Sequence, residues 1–230
     1  MIFLLLLFTL FSYGLAIPTI LLNSNNSIVL KGPVNHESAS RLIHDFNMLP
    51  DKNNTVLFLN TPGGSVDDGM KIVSELKKYN VDCIAETAYS MGFIIFQSCK
   101  NRYILPHGKL MQHQMYLGIQ DQKSRIDSYM RFIDKMEHDI NKMQAKRINI
   151  TVKEFKKKIN NDWWLYGKEA VKEKCADKLV NVECSQELTK KTEKIDNYGY
   201  KFTYSKCPLI SNYIKKEKIK NDNKEFVYLI

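Results

Sequence analysis

A chain of 230 residues, 44% of them hydrophobic, suits one folded domain with extensions and carries ample material for a packed core. Its net charge of +9 is uneven, much of it in residues 153–158 and 190–220. No aromatic pair at RNP spacing and no Cys/His finger accompanies these basic runs, so nucleic acid is not the expected partner and a solvated basic face is.

Residues 2–11 are almost wholly apolar, and Gly14 and Ala16 sit at −3 and −1 of a cleavage point before Ile17. Residues 1–16 therefore read as a secretory signal peptide, or as an uncut N-terminal anchor, since the run is short for a membrane span. The expected location is the secretory pathway or otherwise extracytoplasmic. Asn25, Asn53 and Asn149 open N-x-S/T triplets that would accept glycans in a secreted eukaryotic chain.

The first strand is expected at Ser27-Ile28-Val29-Leu30, about ten residues past the cleavage point and ended by Gly32-Pro33. Residues 37–48 repeat Ala39, Leu42, Ile43 and Phe46 at helical spacing, with Asn35 or His36 as cap. Val56-Leu57-Phe58-Leu59 is a continuous apolar run, as in a parallel strand covered on both faces. Pro62-Gly63-Gly64-Ser65 then makes a turn whose N–H groups are open to a ligand, although an ordinary strand-to-helix turn reads the same way. Asp67 or Asp68 opens a helix with Met70, Ile72, Val73 and Leu76 on its inner face.

A strand over residues 81–85 leads into Thr87-Ala88-Tyr89-Ser90-Met91-Gly92, and Phe93-Ile94-Ile95-Phe96 leads out as a buried helix. That is the strand–turn–helix setting of a nucleophile elbow, with small residues flanking one serine. Taken alone, A-x-S-x-G equally fits a turn that packs a helix on a sheet. Two short strands follow, residues 102–105 and 109–113, with Pro106-His107-Gly108 turning between them. The longest helix covers residues 121–148, striped by Ile126, Met130, Ile133, Met136, Ile140 and Met143. Thr151 and Glu154 have capping-box spacing. Asn160-Asn161-Asp162 is a loop before Trp163-Trp164. A short helix over residues 167–174 and a last strand over 179–182 follow. Alternating strands and helices predict an α/β fold of stacked βα units around a parallel sheet, with one long projecting helix. From residue 185 the chain is a basic C-terminal extension of uncertain order. Residues 226–230 read as an added strand.

Five cysteines are present, none in a C-x-x-C pair and none with His at zinc-ligand spacing, so neither a metal nor a cofactor is expected. Cys83 and Cys99 lie in apolar runs and read as buried thiols; Cys184 with Cys207 would staple the tail to the core.

Serine needs a base, and the base needs an orienting acid. His113 stands at a strand end, and Asp162 stands where two tryptophans would bury its carboxylate. The whole set resembles the proteolytic subunit of the Clp protease, a serine peptidase of crotonase-like fold. Asn60-Thr61-Pro62-Gly63-Gly64-Ser65 is similar to that family's N-S-P-G-G stretch, and Asp68-Gly69-Met70 with Ile72 to its A-G-M-x-I. Ala88-Tyr89-Ser90-Met91-Gly92 resembles A-A-S-M-G, Leu110-Met111-Gln112-His113-Gln114 resembles V-M-I-H-Q, and Asp162-Trp163-Trp164-Leu165 falls at D-x-x-(L/M). The resemblance runs from about residue 27 to 182 and implies a peptidase domain over 17–184. It implies Ser90 as nucleophile, His113 as base, Asp162 as orienter, and the N–H groups of Gly64 and Met91 as oxyanion hole. It further implies Gly63, Ser65, Gln114 and Met115 as substrate-binding, peptides or unfolded chains as substrate, and a homo-oligomer such as a seven-membered ring served by an ATP-driven unfoldase. The segment ahead of the first strand is shorter than the family's. Met115-Tyr116-Leu117-Gly118-Ile119-Gln120 keeps one glycine of a Gly-rich strand. Two other readings fit parts of the pattern: a membrane-associated Ser–Lys protease of the signal-peptide-peptidase kind, and an inactive scaffold.

Overall fold

The computed structural model describes residues 16–219, so the leader and the strand expected at 226–230 lie outside the described residues. Among the described residues the first element is a strand that the sequence did not signal, β1 (Thr19–Leu22). The expected first strand follows as β2 (Ser27–Lys31), then α1 (His36–Met48), whose cap is Asn35 in a reciprocal capping box with Ser38. β3 (Val56–Thr61), α2 (Val66–Leu76), β4 (Asp82–Tyr89) and α3 (Met91–Ser98) continue the alternation.

The strands β2, β3 and β4 pair in parallel, and β4 pairs in parallel with β5 (Arg102–Gln112). Here the structure corrects the sequence reading. The two short strands are one strand, and Pro106-His107-Gly108 does not reverse the chain. Register passes from Ala85↔Ile104 to Thr87↔Lys109, so residues 105–108 bulge opposite Glu86 alone. Pro106 and His107 reach solvent, while the Gly108 carbonyl accepts from the Gly167 N–H at 2.9 Å, and pairing resumes.

The long helix is α4 (Lys123–Ile148), and α5 (Val152–Lys158) follows with the expected Thr151–Glu154 capping box. All six stripe residues are buried or half-buried, whereas Tyr129 and Phe132, which lie off the stripe, are exposed. β6 (Trp163–Tyr166) runs antiparallel to the end of β5, with Gln112 opposite Trp163. After α6 (Lys168–Lys172), β7 (Lys178–Leu179) pairs with the start of β5. β8 (Asn181–Cys184) pairs in parallel with β1.

Residues 56–59 of β3 are apolar at every step because both faces of the strand are covered. Leu57 and Leu59 face the main core under the helices, whereas Phe58 joins Ile84 and Leu105 in a second cluster on the other face. Leu22 of β1, Val180, and Leu188 of α7 (Gln186–Lys190) close that second cluster. Beyond it, β9 (Thr192–Asn197), β10 (Tyr200–Ser205) and β11 (Tyr213–Lys218) form an antiparallel sheet. Tyr198 and Gly199, both at positive φ, make the first hairpin turn. The single strand expected over 179–182 is thus two, β7 on β5 and β8 on β1, and neither is the last among the described residues.

Cys83 and Cys99 form a disulfide, correcting the expectation of two thiols; Cys184 and Cys207 form the second. Cys175 is free, and burial pushes its thiol up to about 12, so it stays protonated.

Arg102, 3% exposed, is the one buried side chain among the described residues that carries a full charge. Its guanidinium meets Asp177 at 2.6 Å and bonds Gln97, whose amide donates to the Cys175 carbonyl at 2.8 Å. Arg147 of α4 reaches the same carboxylate at 3.3 Å. This network ties α3, β5, α4 and the turn before β7 into one body. Burial pushes the Asp177 carboxyl up, but hydrogen bonds from Arg102 and the charges of Arg102 and Arg147 outweigh it and hold it below the ordinary value. A depressed folded value stabilises the fold above the unfolded carboxylate range and loses that effect as pH falls through it. Asp177→Asn should thus be less stable than the parent to urea at pH 7, with the gap closing on acidification; a gap independent of pH would contradict this.

Candidate functional site

The site lies at the carboxyl ends of β3 and β4, where two strand-to-helix turns emerge side by side. Ser90 caps α3 with φ 53° and ψ −116°, a backbone state costing a non-glycine residue about 1–3 kcal/mol. The turn is held from several sides. The Ser90 N–H donates to the Met111 carbonyl at 2.8 Å, and its carbonyl accepts from Phe93 at 3.0 Å. Seven of the eight α3 residues are buried, Met91 to Gln97. Because Ser90 makes no side-chain cap, its hydroxyl is left for another partner. That partner is His113: Nε2 lies 2.9 Å from Ser90 Oγ.

The glycines explain the close approach. A Cβ at Gly63 would stand 2.5 Å from the Tyr89 carbonyl oxygen and 2.8 Å from Ser90 Cβ. A Cβ at Gly92 would meet Thr61 Cγ2 at 2.6 Å. Gly64 is pinned beside Val34, whose N–H donates to the Gly63 carbonyl and whose carbonyl accepts from Ser65, both at 2.8 Å. Among the described residues, the N–H groups of Gly64 and Met91 donate to no acceptor in the chain. The Gly63 N–H is used, by Thr61 Oγ1 at 3.1 Å.

His113 is the first residue past β5, and its own N–H donates to Gln112 Oε1 at 3.1 Å. Asp162 immediately precedes β6, so continuing the antiparallel register sets its backbone beside His113. Its carboxyl, however, is exposed, and no hydrogen bond joins it to His113 among the described residues. The tryptophans do not bury it. Trp163 turns inward between Phe93 and Phe155, with the Lys158 ammonium 4.5 Å above its ring. Trp164 is 54% exposed and packs edge-on against Tyr89. Asp162 itself sits at φ 51°, a second strained residue at the same end of the sheet.

The remaining expected residues have their own partners. Ser65 caps α2 through Asp68 at 3.3 Å, Gln114 donates to Asn160 at 3.0 Å, and Met115 is half-buried against the main core. Sequence reasoning missed Gln112 and Gln144, both buried polar side chains behind the histidine. The available signal was a glutamine at an inward position of an apolar strand. No group of three or more His, Cys, Asp or Glu is placed to hold a metal among the described residues, and no helix there is long and apolar enough to cross a membrane.

With a hydroxyl on an imidazole beside two unpaired backbone donors, the arrangement suits nucleophilic attack on a carbonyl. A family model described as Clp protease matches residues 16–183.

Gly63→Ala combines a positive φ of 89° with a Cβ driven against the Tyr89 carbonyl oxygen, Ser90 Cβ and the Met91 backbone nitrogen. It should lower the melting temperature by about 2–12 °C, the shift expected for a strain of about 1–3 kcal/mol in a chain this size. Gly118→Ala, which meets open space, should leave it unchanged in the same thermal scan.

Proposed function

The chain belongs to the Clp protease family and is in general terms a serine peptidase, and within that class we propose an endopeptidase that cleaves peptides or unfolded polypeptides through an acyl-enzyme. The observation that carries this reading is the 2.9 Å contact between Ser90 Oγ and His113 Nε2. As Oγ attacks the scissile carbonyl carbon, His113 takes its proton. The carbonyl oxygen, now an oxyanion, sits on the N–H groups of Gly64 and Met91. His113 then protonates the leaving amine, and the C–N bond breaks to leave an ester on Ser90. Water, deprotonated by His113, hydrolyses that ester and restores the hydroxyl.

Asp162 is the proposed orienter of the other ring nitrogen. Its backbone position beside His113 supports the role, and its carboxyl has to turn inward to fill it. Substrate backbone would lie along Gly63, Ser65, Gln114 and Met115. Assembly into a ring, an extracytoplasmic location and service by an ATP-driven unfoldase are parts of the same proposal. The two disulfides favour an oxidising compartment.

A Ser–Lys protease would need a lysine on the nucleophile, and among the described residues the recorded partner of Ser90 Oγ is an imidazole. Full activity in His113→Ala would favour that rival. An inactive scaffold would leave Ser90 unreactive.

The test is hydrolysis of a fluorogenic peptide together with labelling by a fluorophosphonate. The parent should show both, and Ser90→Ala should lose the label and at least about 10³-fold in rate. Asp162→Asn should keep the fold and lose about 10²–10⁴-fold. Equal rates in Ser90→Ala and the parent would reject the reading, as would an assembled parent that neither labels nor cleaves.

A further inference from the structure

We propose that Gln112 and Gln144 are positioning residues that make the long helix α4 part of the peptidase site, by fixing where His113 stands. The proposal rests on the reading of His113 as the base.

A glutamine amide taken out of water is costly unless both its ends are bonded. Gln112 is 4% exposed and Gln144 is fully buried. Their amides form one directed chain. Gln144 Nε2 donates to the Ile140 carbonyl at 3.3 Å within α4, and Gln144 Oε1 accepts from Gln112 Nε2 at 2.6 Å. Gln112 Oε1 accepts from the His113 N–H at 3.1 Å. From there the His113 ring reaches Ser90 at 2.9 Å. The helix backbone is thus joined to the nucleophile through two amides and one imidazole.

The chain sits where the sheet stops holding the histidine. β5 ends at Gln112, and among the described residues the recorded acceptor for the His113 N–H is Gln112 Oε1. Packing alone does not call for two amides here. Leu110, two residues before Gln112 on the same strand face, and Ile140 and Ile148, one helical turn either side of Gln144, are all buried and apolar, so an aliphatic pair would suit the same positions. What the amides add is direction: a hydrogen bond fixes orientation where an apolar contact fixes only distance. Asn141, three residues before Gln144 and also buried, extends the polar face that α4 turns inward; its Nδ2 has no partner among the described residues. A shift or rotation of α4 therefore moves the His113 backbone relative to Ser90. Reaction geometry is steep in such displacements, with about 10²-fold lost for 1 Å.

The test uses Gln112→Leu, Gln144→Leu and the two together in the full chain. Each single change strands the other amide in the interior and should lower the melting temperature. The double change removes both amides and should recover the parent's melting temperature. The double variant should nonetheless lose at least about tenfold in kcat with KM within about twofold of the parent. Its His113 ring resonance, assigned by its absence in His113→Asn, should move or broaden. Gln144→Met keeps the volume, removes the acceptor, and should show the same kcat loss and ring shift, so the proposal stays testable should the double variant not fold. A double variant, or Gln144→Met, with the parent's kcat and the parent's ring resonance would overturn it. If the parent itself turns over no peptide, the base reading fails on its own, and the ring resonance alone decides this proposal: displaced supports it, unmoved overturns it.

Discussion

Everything at this end of the molecule depends on two turns being able to touch. β3 and β4 are parallel neighbours, so their outgoing turns leave the same edge of the sheet. Gly63 then lies against the backbone of Tyr89 and Met91, closer than any side chain permits. That approach sets the glycine turn against the strained Ser90, whose hydroxyl lies 2.9 Å from His113 Nε2. Strain of this kind persists only when its surroundings over-determine it. Here they do so through α3, which is apolar nearly all round and is therefore a core helix rather than a surface one. The Cys83–Cys99 disulfide joins the start of β4 to the residue after α3, closing a loop around the serine. A cross-link over that separation adds about 3 kcal/mol by restricting the unfolded chain.

The histidine is held differently from the serine. Ser90 is fixed by packing and by backbone strain, His113 by polar contacts at the frayed end of a strand. The two depend on different parts of the fold, α3 in one case and β5 with α4 in the other. The Arg102–Asp177–Arg147 network ties those parts to one another at the far end of β5. Asp162 belongs to a third element, the turn before β6, and its carboxyl remains in solvent.

How much of this was written in the sequence differs from element to element. The βα alternation, the serine turn and the glycine turn were legible because each rests on local chemistry: an unbroken apolar run, a cap, a residue type that the turn demands. Thr151 with Glu154 is the simplest case, a four-residue motif found as read. What local chemistry could not show was pairing at a distance. β1 is a strand only because β8 lies beside it, and the tail strands are lysine-rich segments whose apolar residues, such as Phe202 and Tyr213, meet across the sheet. Cys83 looked like a core thiol because its neighbours are apolar; its partner is apparent only once α3 folds back along β4. Pro106-His107-Gly108 has turn residues, yet tertiary pairing on both sides of it carries the strand through as a bulge. Of the residues read as the site, Ser90 and His113 meet. The burial expected of Asp162 does not occur, because Trp163 turns inward to Phe93 and Phe155 instead.

The second disulfide has a mechanical side. Cys184 lies in β8, and Cys207 follows β10, so α7, β9 and β10 all sit within the closed loop. Tension entering from beyond β11 would peel that strand, arrive at Cys207, and cross the sulfur bridge straight into β8 and its partner β1. The bridged stretch would be bypassed and bear none of the pull, leaving its fold intact while the body behind it took the strain.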